Sequence, residues 1–275
     1  MTEPQANLCR VCRKRPADTS EHFIPQSAGN RGRVDLLVMN DSGSYDTRRC
    51  TRGFYAPVLC STCNNGPCSV YAQAYTSLIA AVRASLGIQA PDGRLLVHLR
   101  AFYSQRFVKH LVSMFLCAVP WEPAPVWTAL QDYVLDRLLL LPSTAPRLFL
   151  YRNTARIGRI VPCCGMVEFA TGRSVTISEI SWPPLGVVYA YEWHEKFRHM
   201  YEVTSWGQEE FDTPSDQTVL LPDLAVNTHF PLAYGSRREV ELDERRRLPA
   251  YLMHVPPGPL SPTAISALVR KAGQS

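Results

Sequence analysis

The chain has 275 residues, a formal net charge of +5, 46% apolar residues and 19% charged ones. That balance allows a substantial buried core and excludes a disordered, collagen-like or fibrous chain. The longest apolar stretch, Phe107 to Val119, is too short for a membrane span and holds Lys109 and His110, and the opening MTEPQANLCR has no apolar signal core, so a cytoplasmic protein without a membrane partner is expected.

Residues 1–66 are rich in Cys, Arg, Gly and Asn, and the apolar pieces Val34 to Met39 and Phe54 to Leu59 read as strands between turns. Tyr71, Tyr75, Leu78 and Val82 then recur at helical spacing, which predicts a helix over about 67–86. Pro67 suits its first turn, Asn65 or Gly66 its N-cap, and Gly87 its end. Ala90-Pro91-Asp92-Gly93 marks a boundary, dividing the chain into a module over 1–90 and a region over 91–275.

Beyond it the pattern predicts a strand over Leu95 to Leu99 and a helix over about 102–118, with Tyr103, Phe107, Leu111 and Met114 on one face. After a break at Pro120, Pro123 and Pro125 a second helix is expected over about 125–140. Phe149 to Arg152, Arg159 to Phe169, Val175 to Ile180 and Val187 to Trp193 read as strands. A mixed-charge run at Arg237 to Arg247 and a last helix near 262–272 close the chain. The fold class is α+β, helical over 100–140 and β-rich over 145–235.

Nine cysteines, an odd number without a secretion signal, favour metal binding over a disulfide framework. Cys9-Arg-Val-Cys12 and Cys60-Ser-Thr-Cys63 each have the two-residue gap that brings both sulfurs of a knuckle to one tetrahedral zinc ion. The 47 residues between Cys12 and Cys60 leave room for an insertion between the knuckles. Cys50 and Cys68 are competing ligands, although neither belongs to such a pair. The insertion carries Ser20-Glu21-His22-Phe23-Ile24-Pro25, and the second knuckle runs into Asn64-Asn65-Gly66. Arg10, Arg13, Lys14 and Arg15, and again Arg48, Arg49 and Arg52, supply local positive charge for an anionic partner.

Cys9/Cys12, then Glu21-His22-Phe23-Ile24-Pro25, then Cys60/Cys63-Asn64, in that order, resemble the HNH endonuclease family in its four-cysteine, treble-clef branch. The resemblance covers about residues 7–80. It implies an N-terminal zinc-bound ββα-metal module in which Cys9, Cys12, Cys60 and Cys63 hold a structural zinc. His22 would be the general base that deprotonates a water, and Glu21 and Asn64 would hold one catalytic divalent ion, Mg²⁺ or Mn²⁺. Such an ion stabilises charge developing at a scissile phosphate, and its preference for carboxylate and amide oxygens separates it from thiolate-bound zinc. Asn30 and Asn40 are both candidates for the asparagine that orients the histidine. The implied activity is hydrolysis of phosphodiester bonds, with DNA expected as substrate ahead of RNA. The alternative is a non-catalytic zinc-dependent module that binds nucleic acid or protein, since a scaffold alone does not confer activity.

His194-Glu195-Lys196-Phe197-Arg198-His199 has one residue too many for a zinc-protease H-E-x-x-H helix and reads as a surface or strand-edge cluster. Cys163-Cys164, being adjacent, suit a buried strand better than a knuckle.

Overall fold

The computed structural model describes residues 8–22, 24–31, 34–39, 45–50, 53–119, 125–154, 158–168 and 173–224. The first of these form a tight hairpin. Leu8 bridges Pro16, the Cys9 amide donates to the Arg15 carbonyl at 2.8 Å, and Arg13 turns the chain in the left-handed region at φ 56°.

Strands follow as β1 (Thr19–Glu21), β2 (Val34–Met39), β3 (Tyr45–Cys50) and β4 (Ala56–Leu59). A single helical turn, α1 (Ser61–Cys63), leads through a widened turn over Asn64–Cys68 into α2 (Ser69–Ala84). Then come β5 (Leu95–Phe102), α3 (Ser104–Ala118), α4 (Pro125–Leu135), β6 (Arg147–Asn153), β7 (Gly158–Glu168), β8 (Arg173–Trp182) and β9 (Leu185–Ala190). The short strands β10 (Tyr201–Glu202), β11 (Ser215–Leu221) and β12 (Asp223–Leu224) complete the described chain. No helix among the described residues is long and apolar enough to cross a membrane.

The fold is mixed α+β. β1 and β4 form an antiparallel pair, and β5 and β11 form another. The large sheet has the order β10-β6-β9-β8-β7-β2-β3, with β12 added beside β6. Its β2–β3 hairpin, which lies between the two cysteine pairs in sequence, joins β7 in parallel through Leu36 opposite Gly158.

Alternation along the strands gives this sheet two apolar faces. Leu148, Leu150, Ile160, Leu185, Val187 and Tyr189 belong to the main core with α2, α3 and α4. Phe149, Tyr151, Val161, Ile177 and Val188 form a second cluster closed by Phe197, Met200 and Leu224. Phe115 of α3 ties these layers together. Its ring lies 5.1 Å from Trp127 of α4 and 4.7 Å from Tyr189 of β9, and the Tyr189 hydroxyl donates to the Leu111 carbonyl at 2.8 Å.

The predicted helical stripe on α2 faces the core, with Tyr71, Tyr75, Leu78 and Val82 all at 2% exposure or less. Its start differs from expectation. Pro67 sits inside the widened turn, Gly66 is non-helical at φ −95° and ψ −112°, and Cys68 rather than Asn65 or Gly66 precedes the helix. The helix expected over 125–140 ends at Leu135. There the Lys109 ammonium, buried on α3, donates to the carbonyls of Tyr133, Asp136 and Leu139, gathering backbone acceptors that a continuing helix would use itself. β1 and β3 were not expected, and they extend the sheets at short or polar segments. His194 corrects the surface reading of its cluster, because it is 4% exposed beside Phe197, while His199 is exposed. Asn40, the Arg237 to Arg247 run and the expected helix at 262–272 lie outside the described residues.

Candidate functional site

The two knuckles meet. Arg10 of the first donates its amide to Val58 of β4 at 2.9 Å, and Asn64 of the second donates back to Cys60 at 3.0 Å. These bonds bring the sulfurs of Cys9, Cys12, Cys60 and Cys63 within 4.8 Å of one another. The Cys12 and Cys60 sulfurs are 3.8 Å apart, and a tetrahedron with Zn–S bonds of about 2.3 Å has edges of roughly that length. The four-cysteine group could therefore hold a metal ion, and its all-sulfur donor set is consistent with structural zinc.

Electrostatics point the same way. The Cys63 thiol donates to the Cys9 sulfur, which holds Cys9 down to about 4 and pushes Cys63 up, and burial pushes Cys60 up. A thiolate crowded by buried thiols is a place where a cation can displace the remaining protons. Cys68 does not join the group, and the side chain of Cys50 lies outside the described residues.

β1 ends at Glu21, opposite Ala56 of β4, and delivers His22 directly after it. The Glu21 side chain lies outside the described residues. His22 is half-buried, with Nε2 3.3 Å from the Gln26 amide nitrogen and its ring 5.5 Å from Tyr55.

The loop after His22 is held from two sides. Asn30, fully buried, donates Nδ2 to the carbonyls of Ile24 and Phe54, each at 2.8 Å, and accepts from the Phe54 amide at 2.6 Å. From α2, Arg83 donates to the Ala28 carbonyl at 2.9 Å, and the hydroxyls of Ser27 and Thr76 lie 2.9 Å apart.

His22 and Asn64 line one cavity of about 510 Å³, within the ordinary range for ligand sites. Gln26, Ser27 and Arg31 stand at its exposed side. Cys68 from the widened turn and His110, Ser113 and Cys117 from α3 form its buried end. Sequence reasoning missed this end. The available signal was His110 and Ser113 set among apolar residues on α3, polar groups that a buried face rarely tolerates without a use.

No family model matches this chain, and neither a curated protein nor a solved structure matches it.

Proposed function

We propose that the chain is a metal-dependent endonuclease of the HNH type that hydrolyses phosphodiester bonds in DNA. The observation that carries this reading is the convergence of His22 and Asn64 on one cavity beside the four-cysteine group. In this reading the β1–β4 pair and α2 are the ββα element of a treble-clef module, and zinc at Cys9, Cys12, Cys60 and Cys63 fixes its shape. When bound, Mg²⁺ or Mn²⁺ at Asn64 and Glu21 supplies electrostatic stabilisation of a phosphate and of the departing 3′-oxygen.

The chain's own groups do the rest. The His22 imidazole takes a proton from the attacking water, the general-base role that a positioned histidine fills most often. Asn30 holds the loop that follows His22 and so limits where the ring can lie. Arg31 at the rim offers a cation for the substrate backbone.

The test is plasmid nicking by the full chain with Mg²⁺ or Mn²⁺. Cutting by wild type that falls at least about a hundredfold in His22→Ala supports the assignment, since general-base catalysis contributes about 10²–10⁴-fold. DNA binding without cutting favours the non-catalytic zinc module, and equal cutting by the variant removes His22 from the base role.

A further inference from the structure

The buried end of the cavity has a chemistry that phosphate hydrolysis does not require. His110 is 3% exposed and lines the cavity, yet among the described residues neither of its ring nitrogens has a hydrogen-bond partner. Its ring is held at 5.0 Å from Tyr75, so the imidazole is placed while its polar atoms are left to the cavity. Buried polar groups are seldom left unsatisfied without a function, because each such group costs stability.

Ser113, Cys68 and Cys117, which line this end with it, carry no fixed charge. The Ser113 hydroxyl donates to the His110 carbonyl at 2.7 Å, which leaves its oxygen lone pairs as acceptors. Cys68 and Cys117 add thiols, and Arg31, at the exposed side, carries the one fixed charge among the described lining residues. Burial holds the His110 imidazole neutral, down at about 3. A neutral ring offers one N–H donor and one nitrogen acceptor. An anion would gain little there.

A metal cage is also a poor fit. Among the described residues, the four zinc-knuckle cysteines are the one group of three or more potential ligands drawn within 4.8 Å. His110, Cys68 and Cys117 are not gathered in that way. A ligand that belongs at this end is flat or compact, uncharged, and carries both donors and acceptors. The edge of a nucleobase has that pattern.

We propose that the buried end of the cavity, formed by His110, Ser113, Cys68 and Cys117, receives the base of a nucleotide whose phosphate lies at His22 and Asn64, with the His110 ring hydrogen-bonding the base edge. This rests on the nucleic-acid reading above and adds to it a recognition site for an unstacked base. An enzyme that seats a base in a pocket must take it from single-stranded or locally opened DNA.

The experiment uses the full chain and fluorescein-labelled single-stranded oligonucleotides, intact or carrying one abasic tetrahydrofuran position, without added Mg²⁺. Fluorescence anisotropy is expected to show wild type binding the intact strand about tenfold tighter, the scale of one well-placed base contact. His110→Phe should abolish that ratio while leaving abasic-strand affinity within about twofold. In wild type, the ¹⁵N resonances of the His110 ring should shift with the intact strand and not with the abasic one. Equal binding of the two strands by wild type overturns the base site and leaves the nuclease reading standing. So does a base preference that survives His110→Phe with no His110 shift. Failure to bind either strand overturns the base site, and plasmid nicking with Mg²⁺ then decides the nuclease reading by itself.

Discussion

Asn30 grips Phe54 at both ends of its peptide, donating to its carbonyl at 2.8 Å and accepting from its amide at 2.6 Å. A side-chain amide thus imitates a neighbouring β-strand and, through its further bond to Ile24, fastens the segment after His22 to the approach to β4. Asn30→Ala removes the partners of three backbone groups in a buried setting. The expected cost is about 2–4 kcal/mol, checked by the urea midpoint at constant slope, together with reduced nicking as His22 loses its support. An unchanged midpoint would show that the clamp is dispensable.

Gly53 completes the clamp. It has φ +83°, and a Cβ there would lie 2.3 Å from the Asn30 carbonyl oxygen, a backbone atom that cannot rotate away. Gly53→Ala is expected to destabilise by about 2–3 kcal/mol, combining left-handed strain with this overlap. Asn30→Ala leaves that backbone oxygen in place, so adding it to Gly53→Ala should give no recovery; full recovery in thermal melts would mean the side-chain oxygen alone is the obstacle.

The four-sulfur group makes metal content the next test. Cys60→Ala takes one ligand from a site whose binding free energy is also folding free energy. Bound zinc, measured by atomic emission, should fall well below one equivalent, and the melting temperature should drop. Cys68→Ala, which removes a sulfur outside the group, should retain the metal. Retention by Cys60→Ala and loss by Cys68→Ala would exchange their roles.

These sites differ in how far they could be read from the chain. Cysteine pairing depends on a gap of two residues, and the α2 stripe on a period of 3.6, so both are local and legible. The pairing of Leu36 with Gly158 is not, because nothing near either residue specifies a partner more than a hundred positions away. The base of the cavity is hidden for the same reason. Lys109 and His110 argue against a membrane span in the sequence, and their use emerges only when the end of α4 and the segment after it bring carbonyls to Lys109, and the turn before α2 brings Cys68 to the cavity that His110 lines. By motif Asn30 and Asn40 are equal candidates for the asparagine that orients the histidine; the hydrogen bonds of Asn30 fasten the loop after His22, and Asn40 lies outside the described residues.

Arg159 and Glu179 form a two-bond ion pair within the large sheet, at 2.5 and 2.9 Å, with side chains 2% and 0% exposed. The Tyr151 hydroxyl also donates to Glu179. Removing one member leaves the other charge buried, so Glu179→Gln is expected to cost about 3–5 kcal/mol in denaturant unfolding. The double change Arg159→Met with Glu179→Leu should recover most of that loss, since buried pairs replaced by packed apolar side chains are often neutral. A double variant as unstable as the single one would show that the pair itself sustains the sheet.

His110 links burial to pH. Its imidazole, 5.0 Å from the Tyr75 ring, is pushed from its ordinary 6.5 down to about 3 by burial. The unfolded chain therefore takes up a proton as pH falls through 6.5, while the folded chain resists until about 3. Stability contributed by this group is fully present above 6.5 and is lost between those limits, by up to about 1.4 kcal/mol per pH unit. Urea midpoints of wild type measured from pH 7.5 to 4.5 should fall accordingly, and His110→Phe should flatten the curve over that interval. Parallel curves for the two proteins would place the acid sensitivity elsewhere.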